Sequence, residues 1–206
     1  MTDFFDGIEI EGLEITTPKP TSIRTSGNHL FERLKSERQL EELLPWKFND
    51  GDCWHFLSGG DVDSFSFLKW IARQQKIKKL VVSTWCMALQ DIDEFERLHA
   101  LGRIRKIDFY VGEIFPGSYA AEYERLKTMV AKMKSRVCVF RNHSKVFAGK
   151  GEKFDFVIES SANINTNPRT ENTVITIDKR LCREYFRFFG GITTFDAEQR
   201  RIQKQT

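Results

Sequence analysis

The chain has 206 residues, of which 40% are hydrophobic and 13% aromatic, with 18 Phe. That composition belongs to a packed globule rather than a disordered polymer, and the length suffices for one α/β domain with an appendage. A formal net charge of +3 is compatible with nucleic acid without requiring it, and no apolar stretch approaches the ~20 residues that span a bilayer.

The acidic start Met1-Thr2-Asp3-Phe4-Phe5-Asp6 is unlike a signal peptide, so a cytoplasmic location is expected. Cys53, Cys86, Cys138 and Cys182 are scattered, with no C-x2-C pair, and read as buried free thiols. The histidines are equally dispersed, which speaks against a zinc site; no metal and no cofactor is expected.

Residues 1–28 hold Pro18, Pro20 and many Thr and Ser, and read as an irregular arm. Leu30, Phe31, Leu34, Leu40, Leu43 and Leu44 recur between charges, which predicts an amphipathic helix over 30–44. Trp54-His55-Phe56-Leu57-Ser58 reads as a first, buried strand ended by Gly59-Gly60. Asp61 is placed to cap a helix through Phe65, Leu68, Trp70 and Ile71 to about Lys76. Strands follow at 80–85 and 107–111, separated by a helix from Asp91 to Leu101 that Gly102 stops. A helix from Tyr119 to Met133 leads into a strand over 136–141. Three further strands, 144–149, 154–159 and 173–177, precede a closing helix from about Lys179 to Phe189. The early alternation implies parallel strands joined by right-handed crossovers, and the later run of strands an antiparallel or mixed extension. The fold class is α/β.

Gly59-Gly60 and Gly190-Gly191 have neither dinucleotide nor P-loop spacing and read as turns. His55 in its apolar strand reads as a core or pocket-edge residue, and His99 as exposed. The basic clusters at 76–79, 103–106 and 132–136 each precede a strand, which gathers them at the sheet edge away from the strands' carboxyl ends. Arg141, Lys150, Lys153, Arg169 and the cluster Arg200-Arg201-Ile202-Gln203-Lys204 lie nearer, in sequence, to the chemistry described next.

That chemistry is concentrated in about thirty residues. His143-Ser144-Lys145 places an imidazole and an ammonium two residues apart, on one face if the segment is a strand. The apolar run 154–159 releases the chain into Ser160-Ser161-Ala162-Asn163, which can present hydroxyl, amide and backbone N–H groups to an anion. Glu171, at the entrance of the strand over 173–177, is placed to orient His143 through one ring nitrogen and leave the other as nucleophile. Each piece alone has an ordinary explanation as a surface charge or a turn; the order and spacing together point to opening a phosphodiester.

His143-Ser144-Lys145-Val146, then Glu159-Ser160-Ser161-Ala162-Asn163-Ile164-Asn165, then Thr170-Glu171-Asn172-Thr173-Val174-Ile175 resemble the phospholipase D superfamily, whose pattern is H-x-K-x4-D followed by G-S-x-N. The nearest likeness is to its small bacterial nuclease branch, with one motif per chain. It covers roughly residues 136–178, and two places depart: Lys150 stands where the family has Asp, and Ser160 where it has Gly. The resemblance implies a phospholipase D-like mixed β-sheet with helices on both faces, spanning 46–192. An N-terminal arm and helix (1–45) precede it, and a basic tail (193–206) follows. It implies His143, Lys145 and Glu171 as catalytic residues, and Lys145, Ser161 and Asn163 as phosphate ligands. It further implies a homodimer sharing one site and a metal-independent nuclease working through a phosphohistidine, with nucleic acid as partner and no membrane. The alternative, motivated by Lys150, is a catalytically silent protein of this fold that binds nucleic acid or a protein partner. Hydrolysis of a phospholipid or another small phosphodiester is a third possibility.

Overall fold

Alternation along each strand decides which residues face which layer. A computed structural model describes residues 37–59, 62–164 and 169–192. The arm over 1–28, the first part of the 30–44 helix, Gly60, Asp61, Asn165 and the basic tail over 193–206 lie outside the described residues. About two helical turns at 37–43 come first. Then follow β1 (Cys53–Ser58), α1 (Ser64–Gln74), β2 (Ile77–Thr84), α2 (Leu89–Ala100) and β3 (Ile107–Gly112). The short α3 (Phe115–Ser118), α4 (Ala120–Lys132), β4 (Arg136–Phe140), β5 (Val146–Gly151), β6 (Asp155–Ser160), β7 (Glu171–Thr176) and α5 (Lys179–Gly190) complete the order.

The strands form one mixed sheet in the order β1-β7-β6-β5-β2-β3-β4. β2, β3 and β4 are parallel neighbours, whereas β5 joins β2 antiparallel, with Val146 opposite Ser83. β6, β7 and β1 continue antiparallel. Leu80, Val82, Ile107, Phe109, Phe147, Phe156 and Ile158 face a core built with α1, α2 and α4. Val81, Tyr110, Cys138, Val146, Ala148 and Val157 face the opposite layer, where Cys182 and Phe189 of α5 cover them. The fold is therefore the phospholipase D-like α/β sheet with helices on both faces. Within the larger core, Phe95 is fully buried, 4.5 Å from Phe65 and edge-on to Phe109 at 5.1 Å. Burial of such a side chain is worth about 1.5–3 kcal/mol.

Four expectations are corrected. The first strand is not buried within the parallel set: β1 is the far edge, antiparallel to β7, and Leu57 on it is 82% exposed. Its apolar residues made it look internal, yet only Phe56 packs inward, 5.1 Å from the ring of Phe67, while α5 lies over β6, β5 and β2. The cap of α1 is Asp63 rather than Asp61, its Oδ1 accepting from Ser66 N–H at 2.7 Å. His99 is half-buried rather than exposed, its Nδ1 lying 2.9 Å from the carbonyl of Ile104. Of the thiols, Cys86, Cys138 and Cys182 are buried; Cys53 is exposed on β1 beside His55 Nε2 at 3.5 Å. Burial pushes the Cys182 thiol up to about 12.

Gly149 is dictated by space. A Cβ there would stand 2.3 Å from Cε1 and Cζ of the fully buried Phe156. Gly149→Ala is expected to destabilise the protein by about 1–3 kcal/mol through overpacking, read as a lowered midpoint in urea denaturation. An unchanged midpoint would show that the ring can move aside at no cost.

Candidate phosphodiester site

The topology brings every element of the motif to one end of the sheet. Because β5 and β7 run opposite to β2, β3, β4 and β6, the carboxyl ends of the latter meet the amino ends of the former. Ser83, Gly112, Phe140, Val146, Ser160 and Glu171 thus mark a single edge. It is the edge of a mixed sheet where the chain reverses, a place where open α/β sheets commonly hold ligands. The basic clusters at 76–79, 103–106 and 132–136 open strands β2, β3 and β4 at the opposite end.

Residues 141–145 bridge β4 and β5 without regular structure, and a buried asparagine holds them. Asn142 Nδ2 donates to the carbonyl of Tyr110 at 2.9 Å, to Ser83 Oγ at 3.0 Å and to the carbonyl of Thr84 at 3.3 Å. Its Oδ1 accepts from the backbone N–H and the hydroxyl of Ser144, at 3.0 and 2.7 Å. One side chain therefore ties the ends of β2 and β3 to the residue between His143 and Lys145. Gly112 leaves room for this crossing: a Cβ there would lie 2.7 Å from Trp85 Cδ1 and 3.1 Å from the carbonyl of Asn142.

His143 is exposed, its ring tilted against Trp85 at 5.7 Å between centroids. Lys145 Nζ lies 3.2 Å from His143 Nδ1 and 3.4 Å from Nε2, and donates to the His143 carbonyl at 2.7 Å. The two side chains meet because the irregular segment folds them together; strand alternation does not place them, since β5 begins only at Val146. Burial pulls the Lys145 amine below the ordinary lysine range, with Cys86 and Glu171 pulling it back up.

Ser161 joins His143 and Lys145 as lining of one cavity of about 460 Å³, with Ser144, Glu159 and Ser160. Glu171 accepts a hydrogen bond from the Ser161 hydroxyl, and the same hydroxyl accepts from Asn172 N–H at 3.0 Å. No contact between Glu171 and His143 is formed among the described residues; the carboxylate organises the serine turn instead. Asn163 lies apart from the lining, its carbonyl accepting from Ser64 Oγ at 3.0 Å. Its side-chain Oδ1 is buried with no partner among the described residues. Lys150 sits at the other end of β5, about 16 Å along the strand from Lys145 at ~3.3 Å per residue, with Nζ 4.8 Å from the ring of Phe186. Asp155 is its cross-strand partner on β6.

Sequence reasoning missed Asn142, Ser83, Trp85 and Gly112, which position the loop, and the α5 residues Tyr185, Phe188 and Phe189, which form one wall of the cavity. Tyr185 donates its hydroxyl to Glu159, and burial, reinforced by that carboxylate, raises its pKa. An asparagine directly before the histidine was the visible signal for the first group, and the aromatic spacing 185, 188, 189 for the second. Among the described residues no cluster of His, Cys, Asp and Glu is arranged to hold a metal.

No protein-family model and no curated protein matches the chain. Among solved structures it is similar to the polyphosphate kinase of Porphyromonas gingivalis, a phospholipase D-superfamily protein, with a TM-score of 0.50 at 12% identity. That match covers 67% of this chain and 25% of the kinase, so the chain spans a quarter of that protein's length. TrmBL2, an archaeal chromatin protein described as binding DNA, matches at 0.49 and 10% identity over 79% of this chain and 62% of its own. Phosphatidylserine synthase of Haemophilus influenzae matches at 0.43 and 15%, over 65% and 36%. At such identities the likeness to the kinase is one of fold.

Asn142→Asp keeps shape but turns a donor into an acceptor facing Ser83 Oγ and two backbone carbonyls. Each buried acceptor left unpaired costs about 1–3 kcal/mol, so the variant should unfold at clearly lower urea concentration than wild type. Asn142→Ala should fall in the same direction. Wild-type stability for Asn142→Asp would mean that the amide does not hold the loop.

Proposed function

We propose that the chain is a metal-independent phosphodiesterase, a nuclease acting through a phosphohistidine at a site shared by two copies. The observation that carries this reading is the meeting of His143 and Lys145, 3.2 Å apart, in one cavity with Ser161. An exposed imidazole beside an ammonium offers a nucleophile and a countercharge for the phosphate oxygens. In the first step a ring nitrogen of His143 forms a bond to phosphorus and the P–O bond to the leaving alcohol breaks. The departing oxygen takes a proton from an acid on the opposite side. In the second step water attacks phosphorus, the N–P bond breaks, and the same acid, now a base, accepts the water's proton.

Among the described residues of one chain this cavity holds one histidine, and the acid is supplied by His143 of a second copy across a two-fold axis. Lys145 and Ser161 from both copies would hold the phosphate, with Asn163 brought in if its side chain turns toward the cavity. Glu171 fixes Ser161 and, on substrate binding, orients His143. The second reading, a silent protein that binds nucleic acid or a protein partner, is favoured by the engagement of Glu171 with Ser161, which leaves the imidazole without an orienting carboxylate.

Supercoiled plasmid incubated with EDTA separates the two. Wild type should nick it, His143→Ala should lose at least a thousandfold in rate while keeping most DNA affinity, and light scattering should give a dimer. Cleavage that survives His143→Ala, or that returns only with a divalent ion, defeats the mechanism; absent cleavage with salt-sensitive binding selects the silent reading.

Lys145 supplies a pH test. Its lowered pKa means that the amine loses its proton at lower pH than an ordinary lysine, so anion affinity should decline earlier on the alkaline side. Oligonucleotide affinity measured between about pH 8 and 11 should fall in wild type, and Lys145→Arg, which stays charged throughout, should shift that fall upward. Superimposable profiles would remove Lys145 from the phosphate contact.

A further inference from the structure

The cavity has a second character on its α5 side. Tyr185 and Phe188 line both the His143–Lys145 cavity and an adjoining hollow of about 490 Å³ whose other walls are Glu184 and Arg187. Phe188 is 65% exposed, although its neighbour Phe189 is 2% exposed and anchored 4.7 Å from the ring of Tyr110. Tyr185 stacks on Phe189 at 6.2 Å and 20°, and its hydroxyl is pinned by Glu159. Phe188 meets Phe189 edge-on at 5.3 Å. The exposed ring thus stands on a fixed aromatic floor, directly beside the cations and hydroxyls of the phosphate cavity.

We infer that this hollow is a nucleobase platform: the phosphodiester received at His143 and Lys145 belongs to a single-stranded nucleic acid, and the base next to it stacks on Phe188. The inference rests on the proposed phosphodiester site and names its substrate class. Stacking on aromatic rings is how single strands are held without sequence preference, and a rigid platform loses little entropy when the base arrives. A duplex keeps its bases stacked on one another and cannot offer one to a surface ring. An acyl chain suits the hollow less well. It would desolvate the Glu184–Arg187 pair, whose side chains are 55% and 80% exposed, and return no hydrogen bond. A base presents donors and acceptors along its edge, and Arg187 adds a positive charge for the next phosphate.

The test is made in His143→Ala protein, so that binding is read without turnover. Fluorescence anisotropy compares a labelled oligothymidylate of about ten nucleotides with a duplex of equal length, and vesicles of phosphatidylcholine with phosphatidylglycerol form the lipid arm. The single strand should bind more tightly than the duplex. Phe188→Ala should weaken the single strand about tenfold, as expected for one lost base stack, and leave the duplex unchanged. Phe188→Trp should restore affinity and Phe188→Leu should not. Four results overturn the platform: no effect of Phe188→Ala, equal rescue by Leu and Trp, vesicle binding that depends on Phe188, or dissociation of a dimer by Phe188→Ala, which would assign the patch to a second copy. Failure of plasmid cleavage in wild type would remove the catalytic reading without altering this readout. Loss of the Phe188 effect with cleavage intact would remove the platform alone.

Discussion

The candidate site depends on one buried amide. Asn142 is 5% exposed and saturates both ends of its side chain, with three oxygens around Nδ2 and two donors from Ser144 on Oδ1. Two of the acceptors are backbone carbonyls, that of Thr84 at the end of β2 and that of Tyr110 near the end of β3, and buried carbonyls need such partners. Satisfying them with the side chain that precedes His143 converts a need of the sheet into a constraint on the loop. Ser83 adds a hydroxyl contact to Ser144 at 2.6 Å, so β2 grips the loop twice. The exposed imidazole and the partly buried amine inherit their positions from this network, although neither makes a bond to the sheet through its own side chain.

The placement of that network follows from the junction inside the sheet. β2 has a parallel neighbour on one side and an antiparallel one on the other, so the chain arriving from β4 must cross the ends of β3 and β2 to enter β5. The crossing runs over Gly112 and past Trp85, and only a residue without a side chain leaves the backbone of Asn142 this close to β3. On the far side of β5 the antiparallel turn of β6 into β7 lifts Ser161 and Glu171 to the same edge. α5 then covers the face behind the loop and presents Tyr185 and Phe188 at the cavity's rim.

Much of this architecture was legible because period-two patterns in 107–111 and 154–159 have only one way to bury both faces between helices. β1 was not, since alternation tells that a segment is a strand but not which neighbour it takes: Trp54, Phe56 and Leu57 suit an interior position as well as an edge. The proximity of His143 and Lys145 was anticipated, for a different physical reason. A strand would have set their side chains in parallel, whereas the loop turns the amine onto the imidazole and onto the carbonyl of the same residue. Glu171 shows the limit of reading roles from order alone. Ten residues of separation from Ser161 say nothing of the turn that brings the carboxylate onto that hydroxyl first. Asn142 stood in view directly before His143, yet its role as a hub was not legible, because an asparagine between two strands ordinarily marks a turn and the carbonyls it holds come from residues 32 and 58 positions away.

Lys150 is the place where the chain departs most plainly from the pattern it resembles, and its surroundings decide how much that matters. It stands at the end of β5 opposite the cavity, with Lys79 across one ladder and Asp155 across the other. Its ammonium and that of Lys79 lie 4.8 and 5.4 Å from the ring of Phe186, which packs on the sheet side of α5, and Lys79 is further paired with Asp108 at 3.2 Å. The cations are therefore accommodated by an aromatic face and by carboxylates of neighbouring strands, a local solution to packing α5 on the sheet. A charge exchanged at that end acts on how α5 seats. It reaches the cavity only through Tyr185 and Phe188, which flank Phe186 on the same helix, so the departure bears on the aromatic wall before it bears on His143 or Lys145.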